Sequence, residues 1–151
     1  MYLADYHMHS KYSFDGSEEL DTICQTAVRR GLSEIAITDH MDIYTGLPYD
    51  EQMNFDVPGG EQHHMDAVGL YKELCNMKEK YAGQLKVRIG AELGQPQVNP
   101  EAAELFMKDY GDVLDFVIGS IHNMEKDLDV YYYDFTKIDV VKMYDHYVDW
   151  L

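Results

Sequence analysis

Four short apolar stretches alternate with amphipathic ones along this chain, and that alternation restricts the fold more than any other feature. Residues 2–7 alternate in polarity before a turn, and residues 34–38, 85–91 and 113–119 are compact β-prone runs. Each has the length and flanking turn residues of a strand. Helices are predicted between and after them. The first opens at Ser17 as N-cap, with Glu18 and Glu19 at the positive helix end. It presents Leu20, Ile23, Cys24, Ala27 and Val28 on one face and stops at Gly31. The second is expected over 62–81, with Ala67, Leu70, Tyr71, Leu74, Cys75 and Met77 inward. Asn99 and Pro100 open a third, to about Asp109. The last begins near Lys137 with a stripe of Val140, Val141, Tyr144, Tyr147, Val148 and Leu151. Strand and helix alternate four times, which specifies parallel strands under covering helices. Residues 41–62 lack periodicity and read as a long loop, as do the acidic, Tyr-rich residues 123–135.

Composition narrows the partners. The chain has 151 residues, 28 Asp+Glu against 12 Lys+Arg, and a formal charge of −16. An acidic surface repels a phosphate backbone, which argues against nucleic acid. It also repels a small phosphorylated ligand unless bound divalent cations supply local positive charge. No apolar run approaches the roughly 18 residues of a membrane span, and residues 1–10 lack the basic and apolar regions of a signal peptide. Cys24 and Cys75 fall on apolar helix faces and read as buried thiols of a reducing cytoplasm.

Each strand ends in a short signature carrying His or a carboxylate: His7-Met8-His9, Thr38-Asp39-His40, Gly90-Ala91-Glu92 and Ser120-Ile121-His122. In parallel α/β architectures that edge binds ligands. His7 and His9, two residues apart, project to one side of an extended chain and can share a metal. Imidazole and carboxylate donors suit Zn, Mn or Fe. By position alone Asp15 reads as a turn residue before Gly16. His63 and His64, near the expected start of the second helix, read as a solvated face, and His146 as a surface residue of the last. Tyr131, Tyr132 and Tyr133 suit a packed loop lid whose rings could touch a substrate. Asp39 and Asp5 are candidates to orient an imidazole N–H.

Taken in order, Asp5-Tyr6-His7-Met8-His9-Ser10, Phe14-Asp15-Gly16-Ser17, Ile37-Thr38-Asp39-His40, Gly90-Ala91-Glu92 and Ser120-Ile121-His122 resemble the polymerase-and-histidinol-phosphatase (PHP) family. The Phe14–Ser17 run resembles its histidinol-phosphatase branch most. The resemblance implies a distorted seven-stranded parallel (β/α) barrel, of which this chain supplies about the first four βα units. It implies up to three divalent metals (Zn, Mn or Fe) at the C-terminal mouth. His7, His9 and Glu92 would hold the first; Glu92 would bridge to a second with His122; Asp15 and His40 would hold the third. Glu92, His122, Asp15 and His40 are thereby also the implied catalytic residues. The family pattern continues with a further His after a fifth strand and a late Asp-x-His pair, neither present in these residues, so each metal lacks one protein ligand. Closed βα barrels take about 250 residues. The expectation is therefore a single domain over residues 1–151, the N-terminal part of a longer enzyme. Its exposed sheet edges favour self-association, and alone it may lack activity.

The implied reaction is hydrolysis of a small phosphate monoester, L-histidinol phosphate above all, by a hydroxide shared between two metals. A relative acting on nucleic-acid ends or phosphotyrosine would call for a basic groove, and the arginines are only Arg29, Arg30 and Arg88. A non-catalytic metal-binding module is the other alternative.

Overall fold

The structure, a computed structural model, describes residues 1–52, 54–57, 61–124 and 129–151. Its main sheet contains β1 (Ala4–Asp5), β2 (Glu34–Ile37), β3 (His40–Asp42), β6 (Lys86–Gly94) and β7 (Phe116–Ser120), all parallel. Both β2 and β3 lie along the same edge of β6 in one register, Glu34 opposite Lys86 and His40 opposite Glu92. They are two halves of one strand, broken at Thr38 and Asp39. The sheet thus has four rows in chain order, β1, then β2 with β3, then β6, then β7, as expected for part of a parallel barrel. Parallel neighbours require crossovers, which α1 (Leu20–Arg29), α3 (Ala67–Lys80) and α4 (Pro100–Tyr110) supply.

The core lies between these helices and the sheet. Leu20, Cys24 and Ala27 of α1, Ala67, Leu70, Tyr71 and Leu74 of α3, and Ala102, Ala103 and Phe106 of α4 are all buried. They join one cluster with Ile35, Ile37, Met41, Val87, Ile89, Ala91 and Leu93 of the strands. Strands covered by helices read as continuous apolar runs rather than alternating ones, which is why β2, β6 and β7 were legible; β1, exposed, reads by alternation instead. Asn99 caps α4 as expected, accepting from the Ala102 amide with Pro100 in the first turn. Gly31 follows α1 at φ 75°.

Several expectations are corrected. α1 begins at Leu20 with Glu19 as N-cap and no side-chain cap, so Ser17 does not cap it. The first strand is Ala4–Asp5 alone, and the third extends to Gly94. The last helix, α5 (Val140–Trp150), starts later than Lys137 because the Asp139 carboxylate accepts from the Val141 and Lys142 amides. The stretch 41–62 is not a plain loop: it carries the end of β3, a short α2 (Tyr49–Gln52) and an antiparallel pair, β4 (Asn54–Val57) with β5 (Glu61–His64). His63 and His64 therefore lie on a strand. Pro58, Gly59 and Gly60 lie outside the described residues, as does the solvated-face reading of those two side chains. Cys24 is buried but Cys75 is exposed.

α5 has the amphipathic pattern but no buried residue: Val141, Tyr144 and Leu151 are 70%, 63% and 79% exposed. β7 is only half-buried, and its outer edge, like that of β1, has no strand partner among the described residues. Among them, no helix is long and apolar enough to cross a membrane.

Truncation separates the packed layer from the unpacked one. Phe106→Ala is expected to cost about 3–5 kcal/mol in urea denaturation, and Tyr144→Ala to stay within about 0.5 kcal/mol. Similar losses for both would show that α5 is packed after all.

Candidate metal centre

The break between β2 and β3 builds one side of the site. The Thr38 amide donates to the Met8 carbonyl (2.9 Å), and Asp39, fully buried, accepts from the Ser10 amide (2.5 Å) and hydroxyl (2.7 Å). These bonds clamp the segment after β1 across the end of β2. That segment turns back tightly: a Cβ on Gly16 would lie 2.0 Å from the Ser10 carbonyl oxygen, so the Phe14–Ser17 run needs glycine there. The Ser13 hydroxyl accepts from the His40 amide (3.2 Å). His7, His9 and Asp15 are thereby brought over the sheet end, facing His40 at the start of β3, Glu92 within β6 and His122 just beyond β7.

Glu92 is the centre of the arrangement. It is 3% exposed and sits directly opposite His40 in the β3–β6 pairing. Its Oε2 lies 2.8 Å from His7 Nε2 and 2.9 Å from His9 Nε2, while Oε1 lies 3.0 Å from His122 Nε2. The two oxygens face different imidazole sets. Asp15 lies 2.8 Å from His9 Nδ1 and 3.5 Å from His40 Nε2. All six expected ligands converge on one cavity of about 560 Å³, and among the described residues no Lys or Arg lines it.

The sequence reading passed over Asp42, which is 2% exposed and 2.9 Å from His122 Nδ1. Its signal was present: His40-Met41-Asp42 repeats the two-residue spacing of His7-Met8-His9. Asp39 and Asp5 do not orient imidazoles. Asp39 takes Ser10 instead, and Asp5 accepts from the His7 backbone amide (3.2 Å). Tyr131 and Tyr132 line the cavity mouth, but Tyr131 is 82% exposed, so the run is not a packed lid. Residues 125–128 of that loop lie outside the described residues. His146 lies on α5 as expected, half-buried, with its ring 5.6 Å from Trp150.

The donor set fits divalent metals. Ligand atoms of His7, His9 and Glu92 lie within 4.8 Å of one another, as do those of His9, Asp15 and His40, and those of His40, Asp42 and His122. Zinc–ligand distances of about 2.0–2.2 Å at a tetrahedral angle put two donors roughly 3.4 Å apart, and the N···O separations to Glu92 run from 2.8 to 3.7 Å. His9 Nε2 and His40 Nδ1 are buried without a hydrogen-bond partner. His9 Nε2 is near Glu92 yet off the line of a hydrogen bond. Buried polar atoms are ordinarily satisfied, and a shared cation would satisfy both.

Protons take the cation's electrostatic place in the metal-free protein. Burial opposes charge on His9, but the adjacent Glu92 and Asp15 carboxylates outweigh it and raise its pKa to about 9. Burial likewise opposes charge on His122, and Asp42 and Glu92 outweigh it to about 10. Burial pushes Glu92 and Asp42 upward, yet their histidine partners hold both well below the usual carboxylate range. The histidine contribution to stability is thus full below the ordinary pKa of 6.5 and is lost as pH rises through about 9–10. The carboxylate contribution is present above about 4.5 and is lost in acid. Chelator-treated protein should therefore melt highest between about pH 4.5 and 6.5 and lose stability toward pH 10. Zinc should remove the alkaline fall by replacing the protons. A flat melting profile from pH 6.5 to 10 without metal would contradict this electrostatic account.

Comparison with known proteins identifies the family and the fold. The PHP domain family model matches residues 5–151. Histidinol-phosphatase from Lactococcus lactis is 28% identical over 84% of this chain and 41% of its own length. The Bacillus subtilis histidinol-phosphatase is 26% identical over 82% of this chain and 45% of its own. The chain spans less than half the length of these relatives. The solved L. lactis histidinol phosphate phosphatase, complexed with zinc, L-histidinol and phosphate, superposes with a TM-score of 0.64 at 26% identity, covering 82% of this chain and 41% of that one. A Listeria monocytogenes structure shares the fold, with a TM-score of 0.65 at 20% identity over 81% of this chain and 46% of that one. The parallel half-barrel is the one these structures contain, and the chain belongs to the PHP domain family.

Proposed function

We propose that these residues form the N-terminal metal-binding half of a phosphate monoester hydrolase, with L-histidinol phosphate as the substrate. The observation that carries this reading is the Glu92 carboxylate, buried, with one oxygen toward His7 and His9 and the other toward His122. That is the arrangement a carboxylate bridging two cations requires. His7, His9 and Glu92 would hold one divalent ion, Glu92 and His122 a second, and Asp15 with His40 a third. The zinc, L-histidinol and phosphate in the L. lactis relative support both the metal and the substrate; manganese or iron would suit the same donors.

Bound divalent ions supply positive charge for the phosphate and lower the pKa of a coordinated water to about 7. The chain's own residues prepare that chemistry. Glu92 stays ionised and fixed by its neighbours, so it meets incoming cations without rearrangement. The Ser10–Asp39 clamp holds His7 and His9 at the mouth. The Phe14 ring stacks on His40 (centroids 4.8 Å apart) and shields one face of it from water. The described lining is dominated by histidines and carboxylates, and on a chain of net charge −16 bound divalent ions would supply neutralising charge for a phosphate. A histidine-biosynthetic, cytoplasmic role goes with this reading, as does self-association through the open edges of β1 and β7.

A second reading is a metal-binding module without catalysis, favoured by the small number of protein ligands each position has in this chain. One experiment separates the two. Chelator-treated protein is reloaded with zinc or manganese, and phosphate release is followed with L-histidinol phosphate and with a generic aryl phosphate. Metal-dependent hydrolysis is expected, falling roughly 10²–10³-fold in Glu92→Gln, the scale of losing one preorganised electrostatic group. Metal binding without hydrolysis of either ester would leave the module reading.

A further inference from the structure

We infer that Asp42 is a positioning residue that fixes the metal-binding imidazole of His122. It is 2% exposed, and its Oδ1 is 2.9 Å from His122 Nδ1. The opposite nitrogen, His122 Nε2, meets Glu92 at 3.0 Å, on the side of a candidate metal position. His40 Nδ1 lies 3.6 Å from Asp42 and 3.7 Å from Glu92, beyond hydrogen-bond reach of both, so Asp42 does not fix that ring. A neutral imidazole carries one N–H, and whichever nitrogen donates it leaves the other as the ligand. A carboxylate acceptor at Nδ1 selects the Nδ1–H form of His122, which aims its Nε2 lone pair toward the Glu92 side.

The backbone makes room for this carboxylate. Asp42 and Gly94 are directly opposed in the β3–β6 pairing. A Cβ on Gly94 would lie 2.0 Å from Asp42 Oδ1 and 3.1 Å from His122 Nδ1. Glycine at 94 is thus required for Asp42 and His122 to meet. The alternative role, Asp42 as a direct ligand, would take its Oδ1 from His122 Nδ1, which it meets at 2.9 Å.

This inference rests on the metal-centre reading, and its test does not use catalysis. Zinc binding is measured by calorimetry on wild type, Asp42→Ala and Gly94→Ala, with folding checked by circular dichroism. Wild-type stoichiometry should persist in both variants while affinity falls about 10–100-fold, the usual effect of losing an outer acceptor. In parallel, nitrogen-15 spectra of zinc-loaded wild type should show His122 protonated at Nδ1 and metal-bound at Nε2. That measurement needs no variant, so a misfolded Asp42→Ala does not stall the test. Ligation through Nδ1, loss of a whole zinc equivalent in folded Asp42→Ala, or unchanged affinity would each overturn the positioning role. No zinc on the wild type would overturn the metal reading and this inference together, whereas equal binding by wild type and Asp42→Ala would overturn this inference alone.

Discussion

Four imidazoles surround the carboxylate of Glu92, which is almost wholly removed from water. A buried charge without partners would cost several kcal/mol, so the surrounding structure has to bring those partners in. β6 does this by being the longest strand of the sheet. Its first half pairs with β2, and its second half, which carries Glu92, is flanked by β3 on one side and β7 on the other. His40 arrives as the direct cross-strand neighbour of Glu92, and His122 as the second residue after β7. His7 and His9 come from the chain beyond β1, held by the Ser10–Asp39 clamp.

Around this centre the fold divides its carboxylates by role. Asp39 is spent on backbone and hydroxyl donors of Ser10, where it shapes a loop. Asp15, partly exposed, joins His9 and His40 at the mouth. Asp42 acts on the centre through His122. The helices that cover the outer face bury the apolar stripes of α1, α3 and α4, and that layer leaves the polar mouth free to be organised by these pairs.

The strand–helix alternation was legible because each covered strand is a continuous apolar run and three of the helices bury the stripe their spacing announces. Five of the six expected ligands were legible because they sit where the chain leaves or nears the end of each strand row; Asp15, a turn residue by position, was legible only through the resemblance carried by the Phe14–Ser17 run. What escaped the sequence had physical causes. Asp39 and Asp42 flank His40, and only the break at Thr38 and Asp39 decides which of them faces the imidazoles. Asp42 shares the face of His40, two residues away, and Asp39 is turned into the loop. β5 (Glu61–His64) is wholly polar and β4 offers a single short alternation, Asn54-Phe55-Asp56-Val57, so the pair read as loop and helix start. The stripes of α5 and Cys75 show the limit of periodicity: it marks a face suited to burial but not whether another layer meets it.

The central claim is that Glu92 bridges two cations. Anomalous diffraction at the zinc edge from zinc-loaded crystals tests it most directly. The account predicts one peak among His7, His9 and Glu92 and a second between Glu92 and His122, with a separate Glu92 oxygen toward each. A single peak elsewhere in the cavity, or none within coordination distance of Glu92 in fully loaded protein, would contradict it.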